Sequence, residues 1–251
     1  MALNHQPAVD SNDLNLRAEF MQAAFGVADF ARRAGFRVVP YHDNSLPHFS
    51  RLSLDEKKLA IASLEEILSI CHGSQNEGCD IKDSLQLLWF TIRHFGLKPP
   101  SNMFDHIGEG DIIAIHHGPQ QIFRNFEYFE YCSYSLEELG CVDWTKLYER
   151  PEQMEKDIFS TFERSVATNA LAVATVGEHI VQETFAPLRL RMGYRLKFVS
   201  PLYYKNSVTA DHHLVCMQAE LKGPVLTSAE EEELLNLYYR KQNLWQEQKP
   251  N

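Results

Sequence analysis

Apolar residues recur at three- and four-residue spacing through Leu14, Ala18, Met21, Phe25 and Ala28, predicting a helix over 13–33, capped by Asp13 and ended by Gly35. Residues 36–51 hold Pro40, Pro47 and the Asp43-Asn44 pair, which suits a connection. Ser53 and Glu56 then form an S-x-x-E capping box ahead of the stripe Ala60, Leu64, Ile67, Leu68 and Cys71, predicting a second helix. A break is expected at 73–78. The third helix carries Ile81, Leu85, Leu88, Ile92 and Phe95 and stops at Gly96, before Pro99-Pro100. Large apolar residues on three helices in about 80 residues make a thin core, so this layer needs the rest of the chain or a second copy to pack against.

From Asp111 the period falls from near 3.6 to near 2. Ile113, Ile115 and Ile122 lie in two short runs joined by 117–120, a predicted β-hairpin. Asn125 is placed to cap a short aromatic helix reaching Tyr131, and Ser135 with Glu138 makes a second capping box. Pro151 sits at the start of a longer helix whose predicted face is Met154, Ile158, Phe162 and Val166. Three β-type runs follow at 179–186, 194–204 and 213–221, and a third box, Ser228 with Glu231, opens an amphipathic C-terminal helix bearing Leu234, Leu235, Tyr238 and Trp245. The expected divisions are a flexible leader at 1–12, a helical region at 13–98, an α+β domain at 105–223 and the C-terminal helix at 224–251. No internal repeat is present.

At 251 residues and 44% hydrophobic, the chain has material for one large domain or two small ones. Its 34 acidic against 24 basic residues give a formal charge of −10, which argues against nucleic acid and anionic membrane as partners. The polar start has no signal-peptide pattern, and no apolar run approaches the ~18–20 residues of a membrane span, so a cytoplasmic protein is expected. The five cysteines contain no C-x-x-C pair and read as buried thiols, with neither a disulfide nor a zinc site.

The recurring sequence cues of hydrolases, P-loop and dinucleotide-binding enzymes, zincins and kinases are missing, so no catalytic residue is assigned and a non-enzyme is expected. The sequence leaves any cofactor unknown, with none also compatible. Adjacent histidines on a strand point to opposite faces, so neither His116-His117 nor His212-His213 can chelate as an extended pair, and both read as solvated strand ends. The region is dense in aromatic residues; Phe126, Phe129, Trp144, Tyr148, Phe159, Phe162 and Phe198 are the candidate lining of a cavity for a flat ligand, although the same rings can fill a solid core, the plainer reading. The alternative is a cone-shaped α+β enzyme with a buried general base, for which Asp157, Glu183 and His179 are the candidates.

The order of two strands, short helices, one longer helix and three strands over about 110 residues resembles the PAS sensory family. Asp111-Ile-Ile-Ala-Ile and Gln121-Ile-Phe-Arg-Asn-Phe resemble its first two strands, and Tyr131-Cys-Ser-Tyr-Ser-Leu-Glu-Glu-Leu139 its G-Y-S-x-E-E-L helical entry, with Ser133 in place of the glycine. Tyr194-Arg-Leu-Lys-Phe-Val-Ser-Pro-Leu202 resembles its penultimate strand. The resemblance implies a five-stranded antiparallel sheet with helices on one face, first and last strands side by side, sometimes a small ligand inside, and dimerisation or protein contacts through flanking helices. Paired that way, the strands would bring His116 or His117 near His212 or His213, the makings of a pH-sensitive cluster. A ligand-free dimerisation scaffold is the third reading.

Overall fold

The computed structural model describes residues 11–118, 120–186, 189–205, 207 and 209–223. Most of the expected leader and the whole predicted C-terminal helix at 224–251 lie outside these residues. The N-terminal layer comprises α1 (Ser11–Arg33), α2 (Leu54–Asn76) and α3 (Ser84–His94). Asp13 lies inside α1 rather than capping it, and its carboxylate accepts from Lys57 Nζ of α2. The Ser53/Glu56 capping box forms as predicted.

Helix α2 does not break at Gly73. It runs on to Asn76, because glycine is needed there for close packing: a Cβ at Gly73 would sit 2.6 Å from Phe90 Cζ of α3. Asp83 caps α3 by accepting from Leu85 N and Gln86 N, and Gly96 ends it with φ +66°, a conformation glycine adopts without strain.

Among the described residues eight antiparallel strands make one sheet, where five were expected. Five are long: β2 (Ile112–His117), β3 (Gln120–Arg124), β6 (His179–Glu183), β7 (Arg191–Tyr204) and β8 (His212–Leu221). The other three, β1 (Leu97–Lys98), β4 (Tyr148–Glu149) and β5 (Ala172–Val173), have two residues each. The order is β3-β2-β8-β7-β6-β4, with β1 and β5 pairing the far half of β7. The first and last long strands, β2 and β8, therefore run side by side. The predicted 117–120 hairpin joins β2 to β3, with Gly118 at φ +56°. The region before residue 98 is not purely helical, since Leu97 and Lys98 pair with Tyr204 and Tyr203.

Both faces of the sheet are covered, not one. Alternate residues of β2 and β8 serve two cores. Ile113, Ile115, Leu214 and Cys216 join Phe20, Phe30, Leu64, Leu88 and Ile92 of the helical layer in the larger core, while Ile112 and Met217 face the smaller one with Tyr134, Leu147, Met154, Val181 and Tyr194. Strand β7 contributes to both. Its register against β8 shifts between Leu196 and Phe198, a bulge that reverses the alternation, so Met192 and Tyr194 face the smaller core and Phe198 and Leu202 the larger.

Over the inner face, that of the smaller core, lie the 3₁₀ turn Phe126–Glu130 and the helices α4 (Leu136–Cys141), α5 (Trp144–Leu147) and α6 (Glu152–Thr168). Asn125 does not cap that turn. Its Oδ1 accepts from Ile113 N, and its Nδ2 donates to the Asp111 carbonyl and to Ser84 Oγ, tying the hairpin to the start of α3. In α6 the buried face is Met154, Thr161 and Ser165, so the packed stripe is rotated from the one predicted and Val166 is half exposed.

Candidate functional site

The Tyr131–Leu139 segment folds as a polar knot. Ser135 and Glu138 form the expected capping box at α4, and His42 Nε2 lies 3.3 Å from Glu138 Oε2 and 3.0 Å from the Ser133 carbonyl oxygen. Glu137 Oε1 accepts from His48 N at 2.7 Å and Phe49 N at 3.0 Å, while Leu136 N and Glu137 N donate to Val39 and Pro40 carbonyls. Burial pushes the Glu138 carboxyl up, but His42 and Ser135 outweigh it and leave the pKa lowered. The connection at 36–51 is thus clamped onto α4 by Glu137 and by Glu138, which sequence reading assigned only to helix capping.

Glu183, one of the general-base candidates, is fully buried and filled with donors. Ser133 N at 2.7 Å and Ser133 Oγ at 2.6 Å approach its two oxygens, and Leu190 N donates at 2.8 Å. Burial raises its pKa against these hydrogen bonds. With every contact directed at holding the backbone together, it pins β6 to the knot.

Next to the knot, the inner face is unexpectedly polar. Arg124, at the end of β3, lies opposite Ala114 and has Tyr128 over its guanidinium, Cζ 3.8 Å from the ring centroid. The hydroxyls of Tyr128 and Tyr148 are hydrogen-bonded to each other, and the rings of Tyr148 and Tyr194 meet edge-on at 6.2 Å. Burial raises the pKa of all three phenols, so they stay neutral donors. Arg124 Nε is closed off from solvent with no partner.

The histidines pair as the strand order implied, His116 and His213 on the inner face and His117 and His212 on the outer. His116 is paired across the ladder with His213, and His117 with His212. His117 is exposed, as expected of a strand end, and His116 half-buried, but His212 and His213 are not solvated: they are 3% and 6% exposed, with His212 Nδ1 and His213 Nε2 buried and unpartnered. The His117 and His212 rings stack at 4.5 Å, and His213 lies 4.4 Å from the Phe162 ring. Burial, then Arg124 and His213, pull the His116 pKa down to about 4; burial also lowers His212 and His213. Among the described residues no three histidine, cysteine or acidic side chains are arranged to hold a metal ion.

The seven candidate lining residues do not converge. Phe126 and Phe198 are buried in the larger core, and Phe129 packs against both cores. Trp144 and Phe159 touch each other on the surface, 38% and 51% exposed. Tyr148 and Phe162 do reach the inner-face polar cluster, beside Tyr194 and His213. Arg124 and Tyr194 lay outside the candidate set because a strand arginine and a strand tyrosine read as ordinary sheet residues.

The other two general-base candidates are brought together. His179 Nε2 lies 3.0 Å from Asp157 Oδ2, and Gln153 Nε2 donates to Asp157 Oδ1 at 2.8 Å. Beside Asp157, an open groove of about 510 Å³ runs along α6, lined also by Ser160, Thr161, Arg164 and Thr175. The cysteines are free thiols, and burial pushes Cys71 and Cys132 up to about 12. No helix among the described residues is long and apolar enough to cross a membrane.

Compared with family models, with curated proteins and with solved structures, the chain matches none.

Proposed function

We propose that this chain is a non-catalytic, PAS-like regulatory module of the cytoplasm. In this reading it senses a small ligand on the inner face of its sheet, and flanking helices pass the state of that site to a protein partner or to a second copy. The observation that carries the reading is the order of the five long strands, in which the first and last lie side by side and short helices cover the inner face. The polar cluster under those helices supports it, because buried polar atoms without partners are costly in a core that only has to be filled. Native mass spectrometry of the chain purified from its own host tests the reading. A small molecule retained at one per chain is the expected result. A chain that is a bare dimer in every preparation would instead be a ligand-free scaffold.

An enzymatic reading has one observation in its favour, the Asp157–His179 pair beside the α6 groove, an arrangement in which the carboxylate would orient the imidazole as a base. The groove is open to solvent along its length and the pair also joins α6 to β6, so a structural pin accounts for the same contact.

A further inference from the structure

Helix α6 is the most exposed of the four long helices, with Met154, Thr161 and Ser165 as its buried residues. Its outward side carries an apolar stripe. Phe159, Phe162 and Val166 recur at three- and four-residue spacing and so share one side of the helix. Phe159 and Val166 are 51% and 52% exposed, and Trp144 of α5, itself part-exposed, touches the Phe159 ring. The ground beside the stripe is acidic: a shallow groove of about 410 Å³ is lined by Glu152, Glu155, Lys156, Phe159, Ser160 and Glu163.

The chain itself leads to this surface. Met217 and Ala219 of β8 pack on the smaller core, so Leu221, two residues on, points to the same inner side, where it is 47% exposed. Leu221 pairs with Met192, and Met192 belongs to the core that takes Met154 and Ile158 of α6. Lys222 Nζ lies 3.2 Å from Glu178 Oε1, beside the His179 that Asp157 of α6 holds. Gly223, the last described residue, therefore leaves the sheet close to the first half of α6.

The sequence that follows matches the surface in pattern, length and charge. Behind the Ser228/Glu231 capping box, Leu234, Leu237, Tyr238, Leu244 and Trp245 recur at helical spacing, with Lys241 in line with them. A helix from Ser228 to Trp245 is about 27 Å long, against about 25 Å for α6. The link from Gly223 to Ser228 reaches about 17 Å when extended, enough to step onto a helix axis about 8 to 10 Å from that of α6.

From this match we infer that residues 228–245 fold back as an amphipathic helix onto α6 of the same chain, Leu234, Tyr238 and Trp245 against Phe159, Val166 and Trp144, with Lys241 over the acidic groove. The same chain is favoured over a second copy because so short a link holds the segment at millimolar effective concentration above its own α6. The inference is independent of whether the chain senses a ligand.

Hydrogen exchange read by mass spectrometry on the full chain tests it. Amides of 232–245 should exchange at least about tenfold more slowly than in a free peptide of that sequence, at a concentration where light scattering gives a monomer. Phe159→Asp combined with Val166→Asp should return them to the peptide rate, and since both positions are half exposed the fold should hold. Exchange at the peptide rate in the unaltered chain would overturn the inference, as would protection that survives the double variant or protection that appears only with a dimer. If the double variant does not fold, carbodiimide coupling of the unaltered monomer decides. An amide between Lys241 and Glu152, Glu155 or Glu163 supports the docking, and coupling of Lys241 to none of the three overturns it.

Discussion

Removing residues 1–98 should leave a chain that cannot hold its fold. The deletion strips the helical layer from the outer face of the sheet, where Ile113, Ile115, Phe123, Phe198, Leu202 and Leu214 are all 3% exposed or less. Burying each such side chain contributes about 1.5 to 3 kcal/mol, so the six together represent about 9 to 18 kcal/mol. Part survives through contacts among the six themselves, and an extended-chain reference overstates burial; taking half leaves about 5 to 9 kcal/mol. That matches the whole stability of a typical domain, about 5 to 15 kcal/mol. The deletion also takes Leu97 and Lys98 away from the end of β7. Fragment 99–251 should bind a hydrophobic dye, lack near-ultraviolet circular dichroism and melt without a cooperative transition. A fragment that melts cooperatively within a few degrees of the full chain would refute the reasoning and restore the boundary expected near 99–106.

Acid should weaken the fold through His116, which burial beside Arg124 and His213 holds neutral, with its pKa lowered from 6.5 to about 4. Unfolded chains take up a proton in that window and folded chains do not. The stability is therefore complete above about pH 6.5 and falls by about 2 to 3 kcal/mol as the pH drops toward about 4, a fall that His116→Gln should remove. Urea titrations of both proteins at about pH 7 and about pH 4.5 check this, and a difference between them that is the same at both values would sink it. Gly73→Ala should destabilise by about 1 to 2 kcal/mol despite alanine's better helix propensity, because the new methyl meets Phe90; a raised melting temperature would mean the ring moves aside freely. Glu183→Gln should cost about 2 to 4 kcal/mol in chemical denaturation, since an amide nitrogen cannot accept from Ser133 or Leu190, and a loss under about 0.5 kcal/mol would show the carboxyl to be replaceable.

What could be read from the sequence was what short-range chemistry decides. The capping boxes at Ser53 and Ser135, the end of α3 at Gly96, the hairpin around Gly118 and the strands near 179, 194 and 213 all depend on neighbours within a few residues. The errors arose where a distant contact overrides the local signal. Gly73 reads as a break until Phe90 packs on it, and Asn125 reads as a cap until Ile113, Asp111 and Ser84 claim its amide. Val166 belonged to the predicted apolar stripe, yet Thr161 and Ser165 are buried, their hydroxyls satisfied by the carbonyls of Asp157 and Ala170. The aromatic richness of the inner face was visible, but the enclosure of Arg124 Nε without a partner was not, being a property of the assembled surroundings rather than of the residue.

The extra residue in β7 has a mechanical consequence. Tyr194 and Phe198 belong to one continuous backbone about 13 Å long at strand rise, yet their rings stand on opposite sides of the sheet. The two cores are therefore joined covalently as well as by packing: four residues of one strand, with Lys197 at the bulge, reach from the core beneath α6 to the core shared with α1, α2 and α3.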